Sequence, residues 1–256
     1  LISLTTEKYC RMLFFLSLLV LTATYLLKDR LPEPGYYDMT TLSPPLQEPT
    51  SQKAFTLSVN HQHYVIRPQY EYQLNGVVVS YNNSDGFGDI WHHKRWQDFI
   101  NLRDLCVVWG DNVRTGVYKK VQFNSDSWTC WVSWSDRQTG ELFKGNALSN
   151  NHLLTDNLAI KRALMQAEVG DQIRLRGVLA EYANQDTRFK RGTSVSRDDT
   201  GNGACETIYL SQFTIVKKAN PGLRALYTAA LWSTIVSFIA WVVMIFIAPY
   251  KKYQRR

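Results

Sequence analysis

The residues best suited to chemistry are the five histidines and four cysteines. His61 and His63 form an H-x-H pair, and on an extended strand that spacing puts both rings on one face, an arrangement that suits zinc or copper. His92 or His152 would complete the set, so the expected metal ligands are His61, His63 and His92. No spacing among them reaches a full metal signature, so histidines on loops and surfaces are the plainer expectation and no cofactor is required. Nucleophilic catalysis needs a thiol or hydroxyl with a base in reach. Cys106 with His92 supplies the parts, but neither a G-x-S-x-G nor a catalytic-cysteine context surrounds them. Ser149-Asn150-Asn151-His152 reads as a polar connecting loop whose side chains bond the backbone.

The stretch SRDDTGNGACETIYL, residues 196–210, raises two further possibilities. Asp199-Thr200-Gly201 spells the D-T-G of aspartic proteases, but polar Arg197 and Asp198 precede it instead of an apolar strand, and it has no second copy. Asp198, Thr200 and Asn202 alternate like the start of a calcium loop, which fails at its twelfth position, Tyr209, where a bidentate glutamate belongs. The stretch reads as a long polar loop that re-enters a sheet near Glu206. Its Arg197, Asp198, Asp199 and Asn202, together with Trp91 and Arg95 from the Trp- and Arg-rich run at 86–110, are the expected partner-contact residues.

These residues lie between two apolar segments. Residues 225–248 are uncharged, and at about 1.5 Å per residue they reach roughly 36 Å, enough to cross a bilayer core of about 30 Å. Residues 12–27 are shorter, at roughly 24 Å, and span only if Arg11, Lys28 and Arg30 snorkel. They lack a small-x-small cleavage site before Lys28, so an uncleaved anchor is expected over a signal peptide. The basic tail at 249–256 and the 1–11 segment are expected in the cytoplasm by the positive-inside rule, with the intervening domain on the far side, periplasmic in a bacterium. The net charge of +7 resides mainly in the tail, which carries +4, so nucleic acid is not an expected partner. In the second span Ala229, Ser233 and Ser237 repeat every four residues, a small-residue stripe suited to packing against span one, a second copy or another subunit.

Between the spans, residues 28–54 read as a proline-rich linker, 55–218 as a β-rich domain and 219–224 as a short connection. Strands are expected at 72–81, 105–109, 117–123, 127–134, 173–179 and 206–216, the last with a bulge between Leu210 and Phe213. A segment at 94–104 reads as a helix or loop that exposes Arg103. Residues 155–169 carry the i, i+3, i+4, i+7 stripe of a helix through Ile160, Ala163, Leu164 and Ala167. One helix ahead of two final strands fits a small OB-like barrel. Three cysteines in an oxidising compartment form one disulfide, expected between Cys106 and Cys205. The fold class is therefore a membrane-anchored α+β protein. Its expected role is that of a non-catalytic accessory, scaffold or assembly subunit of a larger membrane complex. A metal- or small-ligand-binding sensor and a membrane-anchored hydrolase are the alternatives.

Overall fold

A computed structural model describes the chain over residues 2–84, 86, 90–199 and 205–247. The basic tail, Asn202 and the side chain of Trp91 lie outside the described residues. In chain order the elements are α1 (Ile2–Leu27), β1 (Leu46–Pro49), β2 (Phe55–Val59), β3 (Gln62–Asn82), α2 (Ile90–Trp96), β4 (Asn101–Val108) and the short α3 (Asp111–Arg114). There follow β5 (Gln122–Asp126), β6 (Thr129–Ser133), α4 (Arg137–Leu142), β7 (Leu148–Leu154), α5 (Leu158–Met165), β8 (Gln172–Asn184), β9 (Lys190–Arg191), β10 (Glu206–Lys217) and α6 (Pro221–Ile247). The chain divides into two compact units, Leu1–Arg30 with Asn220–Arg256, and Leu31–Ala219.

The first unit is an antiparallel pair of apolar helices, α1 and α6, each long and apolar enough to cross a membrane. The face that α6 buries against α1 is Ala230, Thr234 and Ser237, one residue round from the expected stripe: Ala229 is exposed and Ser233 half-buried. The cause is helical period. A repeat of four drifts by about 40° per step, whereas steps of four and then three return to one line. Thr234 Oγ1 donates to Ser17 Oγ at 3.0 Å, and Trp241 Nε1 to Glu7 Oε1 at 2.9 Å, so both polar groups are satisfied between the helices.

The second unit is built on an eight-stranded mixed sheet. β3 pairs β4, β4 pairs β7, β7 pairs β10, β10 pairs β8, and β8 pairs β3 again. All these pairings are antiparallel except β7 with β10. The bulge expected in the last strand is present, between Leu210 and Gln212. The expected helix is α5, started by Asn157, whose side chain accepts from the amides of Ala159 and Ile160. The proline-rich segment is not a free tether throughout. Its Leu46–Pro49 stretch pairs β3, and Tyr37 and Leu42 are buried in the core.

Three local expectations are overturned. The strand expected at 117–123 is a 3-10 helix over Val117–Lys120, and β5 begins only at Gln122. Residues 101–104 are strand, and Arg103 is buried, with Nη1 donating to Leu164 O at 2.9 Å and Ala167 O at 2.7 Å. The guanidinium satisfies the orphan carbonyls at the end of α5, and Tyr81 covers its face at 3.9 Å. The disulfide is Cys106–Cys130, with Cα atoms 5.9 Å apart, and Cys205 is a free thiol. Cys106 is opposite Asn150, and one step beyond the β7–β10 register places Cys205 beside Asn150 as well. Cys106 and Cys205 are thus two strand spacings apart, roughly 10 Å, beyond the reach of about 7 Å for a bridge. Alkylation of the unreduced chain should therefore tag Cys10 and Cys205, with Cys106 and Cys130 becoming reactive only after reduction. Peptide mapping reads this directly, and protection of Cys205 before reduction would refute the pairing.

The core closes tightly around β8. A Cβ at Gly177 would come within 2.1 Å of the Tyr209 carbonyl oxygen on β10, so only glycine lets these backbones approach. Gly177→Ala should destabilise the domain by about 3 kcal/mol, because a backbone atom cannot rotate away as a side chain would. Thermal unfolding of the solubilised chain measures it.

Candidate active site

β4 carries Asp104, β7 carries Asn150 and His152, and Cys205 lies immediately before β10. The register pairs Asp104 with His152 across β4 and β7. Asp104 and His152 are fully buried, and Asp104 Oδ1 is 2.7 Å from His152 Nδ1. Asn101 Nδ2 donates to the same carboxylate oxygen at 3.1 Å, and the Trp128 amide approaches the other at 3.4 Å. The Cys205 thiol is electrostatically coupled to His152, and its Sγ donates to Trp128 O at 3.6 Å, while His152 Nε2 meets Arg191 Nη2 at 2.8 Å. Asn150 Nδ2 reaches Cys205 Sγ at 3.5 Å and donates to Trp128 O at 3.0 Å. The result is a cluster of carboxylate, imidazole and thiol carried by β4, β7 and the entry to β10.

The electrostatics follow from this cluster. Burial pushes the Asp104 carboxyl up, but the charge and hydrogen bond of His152, with the Asn101 amide, more than reverse it and hold it below the usual range. Burial pushes the His152 imidazole down, yet Asp104 outweighs burial and raises its pKa. Burial also pushes the Cys205 thiol up. Hydrogen bonding and charge from His152, helped by Asn150 and Arg191, bring it below the ordinary thiol value. The two shifts run toward a more acidic sulfur and a more basic ring, the direction that an activated thiol requires.

Cys205 and Asn150 line a cavity of ≈ 1090 Å³ walled by Trp128, Trp131 and Trp134. Trp128 is the inner wall. It stacks on His92 at 4.6 Å, meets His152 edge-on at 4.9 Å, and carries Arg191 on its face at 4.0 Å. Behind it lies a second buried pair, His92 Nε2 with Asp98 Oδ2 at 2.9 Å, with Tyr182 OH donating to the same oxygen at 2.6 Å. No protein family, curated protein or solved structure matches this chain. The site is therefore read from its own geometry.

That geometry rearranges the residues singled out in the sequence. His61, His63 and His92 do not form a metal site: His61 occupies the turn between β2 and β3 at φ 61°, so the H-x-H never lies on one strand face. His63 is exposed and pairs with Asp186 at 3.0 Å, while His92 is buried against Asp98. Among the described residues no three His, Cys, Asp or Glu side chains group to hold a metal ion. Cys106 is in the disulfide, so the Cys106–His92 nucleophile–base pair does not exist. Of the expected contact residues, Arg197, Asp198 and Asp199 line the cavity, with Arg197 paired to the buried Glu206, while Arg95 is exposed on α2. His152 and Asn150, read as loop residues, are strand residues at the centre of the site.

The depressed thiol has a measurable sign. The thiolate reacts and the thiol does not, so iodoacetamide should still alkylate Cys205 well below about pH 8.5, where an ordinary cysteine fades. His152→Asn removes the largest lowering influence, so the midpoint should rise. Rate against pH, followed on the Cys205 peptide, checks both directions.

Proposed function

We propose that the protein is a membrane-anchored thiol enzyme of the hydrolase or acyl-transfer class, with Cys205 as nucleophile, His152 as general base and Asp104 as the group that orients it. The observation that carries the reading is the buried His152–Asp104 pair on strands adjacent to Cys205, whose thiol lines the large cavity. In the reaction His152 Nε2 takes the thiol proton and the sulfur attacks an acyl carbon. The ring then returns the proton to the leaving group as the carbon–heteroatom bond breaks. Water or a second nucleophile attacks the thioester by the same route in reverse, and Cys205 recovers its proton. Asn150 Nδ2, beside the sulfur, is placed to donate to the oxyanion.

Several features support the wider setting. The return pairing of β8 to β3, the single parallel pairing and the position of α5 before the last two strands of that circuit support an OB-like barrel as the scaffold. The Cys106–Cys130 disulfide supports an oxidising, extracytoplasmic location for the domain, with α1 and α6 as its anchors and both ends of the chain in the cytoplasm. Contact with other membrane subunits is a second reading, favoured by the exposed Trp131 and Trp134 beside the cavity.

The test is turnover of a panel of activated esters, thioesters and amides by the full chain in detergent. Cys205→Ser should lower the rate by at least about 100-fold while unfolding remains unchanged, and His152→Asn should lower it as far with a loss of stability, because it leaves the buried Asp104 without its partner. Turnover that survives both substitutions, or a wild-type chain inert to the whole panel with an unreactive Cys205, overturns the proposal.

A further inference from the structure

Arg191 is a cation on the cavity wall that contacts His152 directly. β9 pairs β8 with Tyr182 opposite Arg191, which delivers its side chain to the cavity wall. The guanidinium lies flat on Trp128, its carbon 4.0 Å from the ring centre, and Nη2 is 2.8 Å from His152 Nε2. Among the described residues no carboxylate lies within ion-pair distance of it. The neighbouring cation differs, because Arg197 is paired with Glu206.

The contact with His152 has a chemical consequence. A guanidinium only donates hydrogen bonds, so Arg191 occupies the Nε2 lone pair, the same electron pair that must accept the Cys205 proton. While Arg191 rests there, the ring is the neutral tautomer with its Nδ1–H toward Asp104. Once Nε2 is protonated, the contact becomes a repulsion between two cations. The guanidinium must leave, and its stacking on Trp128 lets it slide in the ring plane with its fork toward the cavity.

We propose that Arg191 is both the specificity group and a latch: it recognises a carboxylate on the substrate, and that carboxylate draws it off His152 Nε2 and frees the base. The inference rests on the thiol-enzyme reading and names its substrate class, acyl compounds that carry a carboxylate close to the reacting carbonyl. A planar two-toothed fork matches a carboxylate better than a neutral group, and near the cavity wall such a pair is only partly screened.

Two small reagents that differ only in this charge test it. Iodoacetate and iodoacetamide both alkylate a thiolate with loss of iodide, and only iodoacetate offers a carboxylate. Labelling is carried out on the full chain in detergent with Cys10→Ser, so that Cys205 is the free thiol, and is quantified on its peptide. The iodoacetate-to-iodoacetamide rate ratio should fall about fivefold in Arg191→Gln, the size of one charge-assisted contact, and in part in Arg191→Lys. A readout without any variant is salt: raising ionic strength to about 1 M should lower the same ratio in the unsubstituted Arg191 chain. A ratio that neither substitution nor salt changes overturns the latch and leaves the thiol site standing. Failure of both reagents to label Cys205 overturns the thiol site and the latch with it.

Discussion

A carboxylate with no access to water sets the terms for the middle of this domain. Asp104 is fully buried, and an ionised group in that position is tolerated only when opposite charge and donors surround it. The surrounding structure meets that demand from three directions. β7 presents His152, the turn between β5 and β6 presents the Trp128 amide, and Asn101 reaches up from β4 itself. With His152 held at its Nδ1, its other nitrogen meets Arg191, and the parallel seating of β10 on β7 brings Cys205 beside Asn150, two residues along β7 from His152. The thiol's acidity is therefore a downstream effect of satisfying one buried charge.

The same strand solves a second problem on its opposite face. Side chains alternate along β4, so Arg103 and Asp104 point to different sides, and both are buried. Arg103 closes the end of α5, while Asp104 organises the site. Two His–Asp pairs, His152 with Asp104 and His92 with Asp98, flank one indole, that of Trp128. A polar cluster of this density inside a small domain is stabilising only when every member is engaged, and it makes the inner cavity wall a single cooperative piece.

The scaffold was legible because apolar periodicity carries it. The two long apolar helices, the strands β3, β4, β6, β8 and β10 in part, the helix at α5 and the bulge after Leu210 follow from spacing, which local sequence records directly. The site was not legible because β7 breaks the rule by which strands are recognised. Ser149-Asn150-Asn151-His152 has the composition of a loop, and it is a fully buried strand only because long-range bonds satisfy it, such as Asn151 Nδ2 to Leu105 O at 3.0 Å. Cys205 was visible as a cysteine, but its partner is set by register across three strands, and nothing local encodes register. The one usable signal was Arg103-Asp104 beside the apolar Leu105–Val108: charges inside an apolar strand imply compensating groups elsewhere.

The disulfide bears on when the site becomes complete. Cys205, His152 and Asp104 are fixed by the sheet, whose pairings owe nothing to sulfur chemistry. Trp128 is different: it sits in the turn of the β5–β6 hairpin, and Cys130, two residues on, is the covalent tie of that hairpin to β4. A newly folded chain with Cys106 and Cys130 reduced already has Asp104, His152 and Cys205 on neighbouring strands, under a roof held by non-covalent contacts alone. Oxidation then fastens the roof. Assembly of the site and enclosure of the site are thus separate events, the first set by folding and the second by oxidation of Cys106 and Cys130.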